Sequence, residues 1–175
     1  MKPYTLYVEE LPANDNLSRH EREKIAVDKL VKRAFGPGAR KYNMPSGAPA
    51  IEGANTPFSI SHCRTHAALV AGHGCAAIGA DIEIFRPTLR RVVHKFLTEA
   101  ERHAYCTDEA LLQAWTLKEA VYKAALTPGL ALAEIHLPPL AEAREGGSVV
   151  ARGVPYTIVA SHSTGVFFIS IVVRY

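Results

Sequence analysis

Features that define several large protein classes are scarce or missing in this sequence. Its three cysteines show no Cys-x-x-Cys spacing, which argues against a disulfide framework and against a zinc knuckle. No apolar run approaches the roughly 18 to 20 residues that a membrane span needs, and the first residues lack the basic-then-apolar pattern of a signal peptide. We therefore expect a cytoplasmic protein that does not associate with membranes.

Net charge is also low, at +3, but it is unevenly distributed. Eight of the twenty lysines and arginines fall in residues 18–41. A local excess of this kind favours one anionic ligand near that segment, although a solvated surface is the commoner explanation of a basic run. We expect no nucleic acid partner.

Periodicity and punctuation predict a mixture of strands and helices. Ser18 and Glu21 form a capping box that starts a basic helix, and glycines and a proline at 36–38 end it. Residues 36–57, rich in glycine and proline, predict a loop that could face a ligand. The remaining predictions are strands at 3–9, 58–61, 67–71, 76–84, 149–160 and 166–174, helices starting near Pro87 and Thr98, and a long helix at 108–126. We expect the three strands at 58–61, 67–71 and 76–84 to form an antiparallel meander.

One short pattern occurs twice. Residues 58–62, Phe-Ser-Ile-Ser-His, precede an apolar stretch, as do residues 157–162, Thr-Ile-Val-Ala-Ser-His. Each copy predicts a strand, a Ser-His pair, a turn and a second strand. The chain could thus repeat one folding unit, but chance similarity between two hairpins explains a single match equally well.

Asp81 and Glu83 are the first candidate site. Residues two apart in a strand point to the same side, so both carboxylates would share one face. Carboxylate oxygens are ligands of Mg²⁺. An exposed polar face of an edge strand is the alternative.

The long helix carries a second candidate, Glu119 with Lys123. Four residues separate them, so they share one face, where they could form an ordinary surface salt bridge. Beside a magnesium ion, Glu119 could instead be a ligand or a general base, and Lys123 a phosphate clamp. Ser61 and His62 could reach phosphate oxygens from a strand end, although His62 could equally be a buried structural histidine.

Three segments together resemble the signature motifs of the 4′-phosphopantetheinyl transferase superfamily. They are Gly79-Ala-Asp81-Ile-Glu83, Trp115-Thr-Leu-Lys118-Glu119-Ala-Val-Tyr-Lys123-Ala124 and Phe58-Ser-Ile-Ser61-His62. The mid-chain position of Asp81 and the Asp-x-Glu form resemble the longer, surfactin-synthetase-activating type. That type implies an α+β fold made of a pseudo-twofold pair of subdomains, each a small antiparallel sheet with a long helix, with halves at 1–77 and 78–175. It also implies a monomer.

The resemblance further implies an activity. The phosphopantetheine arm of coenzyme A would be transferred to a serine of an acyl or peptidyl carrier protein. The metal would be Mg²⁺, which Mn²⁺ could replace. Asp81, Glu83 and Glu119 would bind the metal, Glu119 and Lys123 would be catalytic, and Lys123 would also contact phosphate. The coenzyme A phosphates would be bound by Ser61, His62, Lys24 and Arg22.

The sequence departs from this family pattern in two places. Ala80 replaces a branched residue, and Ala48 stands where the family often has a lysine, which puts affinity for coenzyme A in question. Two other functions stay open from the residues alone. One is a magnesium-dependent phosphodiesterase or nuclease that uses the same carboxylates, and the other is a catalytically silent module that binds coenzyme A or a carrier protein.

Overall fold

A computed structural model describes residues 2–175, and both helices and strands occur along their whole length. Three single 3-10 turns, Val93–Lys95, Leu132–Glu134 and Leu140–Glu142, lie between the larger elements. The strands are β1 Tyr4–Glu10, β2 Lys41–Asn43, β3 Pro49–Ile51, β4 Phe58–His62, β5 His66–Gly72, β6 Ala77–Glu83, β7 Ile135–His136, β8 Ser148–Ala151, β9 Val154–Ser163 and β10 Phe168–Arg174. The helices are α1 Arg19–Phe35, α2 Thr88–Val92, α3 Glu99–Ala104 and α4 Asp108–Ala125.

The strands form antiparallel sheets, each of the two larger ones covered by a long helix. One sheet has the order β1-β5-β4 and packs against α1. A five-stranded sheet has the order β6-β10-β9-β8-β7, and α4 lies across β6 and β10. Strands β2 and β3 pair separately. The predicted α+β class is confirmed.

Local signals placed the helix ends correctly. The Ser18 and Glu21 side chains each bond the other's backbone N–H at the start of α1, and Thr98 and Glu101 form the same capping box before α3. Thr107 caps α4, and Leu126 ends that helix in a left-handed conformation with φ 47°. Both long helices therefore begin and end within a residue or two of the prediction.

The predicted meander of three strands is wrong in its last step. Strands β4 and β5 do form an antiparallel hairpin, but β6 pairs with β10 at the edge of the other sheet. The single strand predicted at 149–160 is also two strands, β8 and β9, separated by a turn at Arg152 and Gly153, both with positive φ. In addition, part of the predicted loop at 36–57 forms the β2–β3 hairpin.

Apolar packing joins the two larger sheets directly. One cluster of buried residues includes Val70 of β5, Ile82 of β6 and Ile169 of β10. Other clusters lie under α1 and under α4. The candidate site lies at this joint, because β6 is the strand of the second sheet nearest to β4 and β5.

The two copies of the short repeat are both antiparallel hairpins, formed by β4 with β5 and by β9 with β10. Strands of the three-stranded sheet all end by residue 72, and those of the five-stranded sheet start at residue 77. The division at residues 77 and 78 and the twofold relation stay predictions. None of the helices in residues 2–175 has the length and apolarity that crossing a bilayer requires.

Candidate functional site

Strand β6 brings two carboxylates to the joint between the sheets. Asp81 is only 4% exposed and Glu83 is half-buried, on the face of the strand that meets α4. A Cβ atom at Gly79 on this face would overlap the carbonyl oxygen of Ala120 in α4. Glycine therefore lets β6 lie directly against the helix, which places Asp81 within reach of side chains on α4.

Asp81 is held through one of its two oxygens. The Ser61 hydroxyl donates to Oδ1 at 2.7 Å, and Lys123 Nζ donates to the same Oδ1 at 2.6 Å and to the carbonyl of Ala80 at 3.2 Å. The other oxygen, Oδ2, is buried and has no hydrogen-bond partner among residues 2–175. Buried carboxylate oxygens are rarely left unsatisfied, so Oδ2 is available to a ligand.

Glu83 and Glu119 lie close enough to Asp81 to respond to its charge. Burial raises the pKa of the Glu83 and Glu119 carboxyls, and the negative charge of Asp81 raises it further. Lys123 partly offsets both effects. Two of these acids already pair with basic side chains, Asp81 with Lys123 and Glu83 with Arg86. No group of three or more His, Cys, Asp or Glu side chains within residues 2–175 has the spacing of a ready-made metal shell.

Lys123 does not form the surface salt bridge that its spacing from Glu119 offered. Its ammonium group pairs with Asp81 across the helix–strand contact, and its side chain is 28% exposed. The residue lines a pocket with its accessible part. An ammonium group has three N–H donors, of which two are used here, so one donor is left for a ligand.

The pocket has a volume of about 660 Å³ and opens between α1 and β4. Its floor is formed by Ser61, Asp81 and Lys123, and further lining residues come from α1, β2, β3 and β4. The charged and titratable members are His20, Glu23, Lys24, Asp28, Lys41, His62, Asp81 and Lys123. Four of the predicted site residues therefore meet Lys24 of the basic helix in one cavity.

His62 is exposed at the rim of this pocket rather than buried in the core. Its Nδ1 lies 3.3 Å from Oε1 of Glu23, and Arg19 pairs with the same oxygen at 2.7 Å. The Glu23 carboxylate beside Nδ1 helps to hold the ring in this orientation. The interpretation of His62 as a buried core histidine is thereby ruled out.

Two predicted ligand contacts differ from their expected places. Arg22 is half-buried and does not line the pocket, although its Nε is buried without a hydrogen-bond partner among the described residues. The Ser61 hydroxyl donates to Asp81 and accepts from the N–H of Ile82 at 3.2 Å. Its hydrogen-bonding capacity is therefore directed at β6.

Sequence reasoning missed Lys41 and Glu23 as pocket residues. Lys41 lies in β2, whose pairing with Ala50 and Ile51 of β3 brings it to the opening. The one available signal was the glycine- and proline-rich composition of 36–57, which indicated a loop that could face a ligand. Glu23 gave no signal apart from its place in the basic helix.

A second cavity of about 790 Å³ adjoins the first and shares Pro49, Ile60 and Lys123 with it. Its walls are mostly apolar and come from the β2–β3 hairpin, residues 54–60, residues 76–78 and the end of α4. Exposed side chains at its margin include Tyr42 and Tyr122. Together the two cavities offer a charged compartment beside an apolar one.

Comparison with known families gives one finding. The family model described as the 4′-phosphopantetheinyl transferase superfamily matches residues 77–155, which are 79 of the 175 residues. The matched segment contains Asp81, Glu83, Glu119 and Lys123, whereas α1, Ser61 and His62 precede it. No curated protein matches the chain. The segment is thus similar to transferase domains that move phosphopantetheine.

Proposed function

We propose that the chain transfers 4′-phosphopantetheine from coenzyme A to a serine of an acyl or peptidyl carrier protein, and that it is of the longer, surfactin-synthetase-activating type. One observation carries the proposal. Asp81, whose Oδ2 is buried without a hydrogen-bond partner among residues 2–175, lines a pocket that Lys24, Lys41 and Lys123 also line. A pyrophosphate with its cation has the charges that such a lining would bind.

The donor set fits magnesium. Asp81 Oδ2 is a free hard oxygen, and Glu83 and Glu119 are half-buried carboxylates in its field. Magnesium is usually held by a few carboxylates and completes its shell with water and substrate phosphate. Bound here, the ion would neutralise charge that develops on the pyrophosphate oxygens. Asp81, Glu83 and Glu119 are the residues that would hold it.

Transfer is a single displacement. The hydroxyl oxygen of the carrier serine forms a bond to the β-phosphorus of coenzyme A, and the bond from that phosphorus to the bridging oxygen breaks. Glu119 takes the serine proton, and its raised pKa suits it to act as a base. The leaving group is 3′,5′-ADP, and the third N–H of Lys123 stabilises charge on the phosphates.

The 3′-phosphate of coenzyme A is assigned to the rim of the pocket. His62 presents its ring there, and Lys24 of α1 and Lys41 of β2 supply positive charge. Lys41 offers a cation that could offset the missing lysine at position 48, since β2 pairs with the strand that follows Ala48. Arg22 has no part in this assignment.

The experiment is an incubation with coenzyme A and an apo-carrier protein, followed by intact mass spectrometry of the carrier and chromatography of nucleotides. We expect the carrier to gain one phosphopantetheine arm and 3′,5′-ADP to appear in equal amount, with Mg²⁺ or Mn²⁺ but not Zn²⁺. Full transfer after exhaustive EDTA treatment would contradict the metal assignment.

The same incubation separates the other two functions. A phosphodiesterase would release nucleotide while the carrier mass stays constant. A silent module would bind coenzyme A and change neither product. Either result would overturn the proposal.

A further inference from the structure

The joint between the two larger sheets is closed by serine hydroxyls. Strand β6 is the edge strand of its sheet, and Ser59 and Ser61 of β4 face that edge, each 4% exposed. Ser59 Oγ accepts from the N–H of Ala80 at 3.0 Å, and Ser61 Oγ accepts from the N–H of Ile82 at 3.2 Å. The two hydroxyls thus accept hydrogen bonds from backbone N–H groups of an edge strand, which would otherwise need the carbonyl groups of a neighbouring strand as partners.

Only one of these two serines also bonds the Asp81 carboxylate. The Ser61 hydroxyl proton is directed to Oδ1 of Asp81 at 2.7 Å, whereas the Ser59 hydroxyl has no carboxylate partner among the described residues. A hydroxyl has a single proton to donate. The hydrogen bond from the N–H of Ile82 fixes the position of Ser61 Oγ. The hydroxyl proton of Ser61 therefore stays directed at Oδ1 of Asp81.

Two donors therefore hold the same oxygen of Asp81. Ser61 approaches from β4 and Lys123 from α4, both on Oδ1, while Oδ2 is buried and has no hydrogen-bond partner within the part of the chain that the structure describes. A carboxylate fixed in this way cannot rotate to exchange its oxygens without breaking two short hydrogen bonds. Ser61 and Lys123 therefore determine which oxygen of Asp81 is left without a partner among the described residues.

We infer that Ser61 is a positioning residue that orients Asp81 so that Oδ2 faces the cation, and that it is not a phosphate contact. The inference rests on the proposed function for the identity of the site. Residues that hydrogen-bond a metal ligand typically change metal affinity by about 10- to 100-fold when they are lost. We expect the same range here.

The test is Mn²⁺ binding by electron paramagnetic resonance, with no coenzyme A and no carrier protein present. Ser61→Ala should weaken Mn²⁺ binding by about 10- to 100-fold. Ser59→Ala is the matched control, because it removes the equivalent backbone bond on the same face of β4 but leaves Asp81 untouched. Its Mn²⁺ affinity should stay within about twofold of the wild type, since it affects no ligand.

A second pair of variants covers the case in which Ser61→Ala does not fold. Thr and Val have nearly the same shape, so Ser61→Thr keeps the hydroxyl and Ser61→Val removes it with little change of volume. Thr should retain Mn²⁺ affinity and Val should lose it. Equal affinities in the Thr and Val variants would overturn the inference.

The alternative role, a direct phosphate contact, leads to a different result. It requires Ser61→Ala to weaken coenzyme A binding in metal-free buffer while Mn²⁺ affinity stays the same. A wild-type protein that binds no Mn²⁺ at millimolar concentration would also refute the orienting role. Since these measurements involve no transfer, their outcome is independent of whether the wild type modifies a carrier protein.

Discussion

Two lysines of α4 are paired with buried carboxylates, and their surroundings give them different roles. Lys123 meets Asp81 at the floor of an open pocket. Lys118 is fully buried, and its Nζ bonds Oε2 of Glu101 at 2.8 Å. The first pair lines the pocket of the candidate site, and the second links α3 to α4 away from solvent.

Removal of Glu101 should lower the free energy of unfolding more than removal of Lys118 does. Glu101 also accepts from the backbone N–H groups of Thr98 and Leu137, both at 2.9 Å, so its charge stays solvated by donors when Lys118 is lost. Lys118 has no such second partner among the described residues. Glu101→Gln should therefore cost about 3 to 5 kcal/mol of unfolding free energy, and Lys118→Met clearly less. Urea unfolding checks this, and the reverse order would contradict it.

Glu101 should also contribute to acid sensitivity. Burial by itself raises the pKa of its carboxyl, but bonds from Leu137, Lys118 and Thr98 outweigh burial and hold the pKa below the ordinary value of 4.5. A carboxyl with a lowered folded-state pKa stabilises the protein above its unfolded pKa, and that contribution is lost as pH falls through the folded value. The difference in stability between wild type and Glu101→Gln should shrink below about pH 4.5. Unfolding curves across this range test it, and a constant difference would refute it.

Among the elements, the contact between β6 and α4 is the one that positions the site. Gly79 lies directly under the backbone of Ala120, so any side chain there pushes strand and helix apart. Asp81 and Lys123 lie on either side of this contact. The accuracy of their pairing depends on how closely the two elements approach.

Gly79→Ala should thus damage both stability and the site. The added methyl group has no space, and overpacking of this kind typically costs 1 to 3 kcal/mol, with about 3 kcal/mol or more expected against rigid backbone. Gly38→Ala is the control, because a Cβ there meets nothing within 4 Å and its φ is not positive. Thermal and urea unfolding of both variants should separate them, and equal stabilities would contradict the packing argument.

Elements governed by neighbouring residues could be predicted from the sequence, and those governed by distant residues could not. The capping boxes at Ser18 and Thr98 use partners three residues away, so their pattern is visible locally. The partner of β6 is β10, near the far end of the chain, and no local pattern distinguishes it from β5. Strand pairing is decided by the packing of the whole chain.

The same distinction applies to the site. Asp81, Glu83, Glu119 and Lys123 were predicted as site residues from a motif resemblance and not from a local pattern. The bond from Ser61 to Asp81 depends on how two sheets meet, and Lys41 reaches the pocket through a hairpin that composition marked as loop. The bond from Ser61 has no local sequence signal, and the composition of 36–57 indicated only a loop that could face a ligand.

For the molecule as a whole, we predict a monomer in solution. Each of the two larger sheets is covered by its own long helix, and an apolar cluster joins the sheets within one chain. The internal contact supplies the kind of interface that a shorter chain would gain by association. Light scattering coupled to gel filtration should give a mass near 19.0 kDa, whereas a trimer as the main species would contradict the prediction.

The proposed role of Glu119 at the reacting phosphate is tested most directly by the rate at which Glu119→Gln transfers the phosphopantetheine arm to an apo-carrier. The change removes the charge and keeps size and helix propensity. Loss of a general base typically costs 10²- to 10⁴-fold, and loss of a metal ligand adds to it, so the rate should fall at least about a hundredfold. Coenzyme A binding should fall less, because His62, Lys24 and Lys41 remain.

Glu109→Gln is the matched control, since Glu109 is an exposed glutamate in the first turn of the same helix. Intact mass spectrometry gives both rates, and melting curves check that both variants are folded. We predict normal transfer by Glu109→Gln and a loss of at least about a hundredfold by folded Glu119→Gln. Transfer by Glu119→Gln at close to the wild-type rate would contradict the proposed role of Glu119.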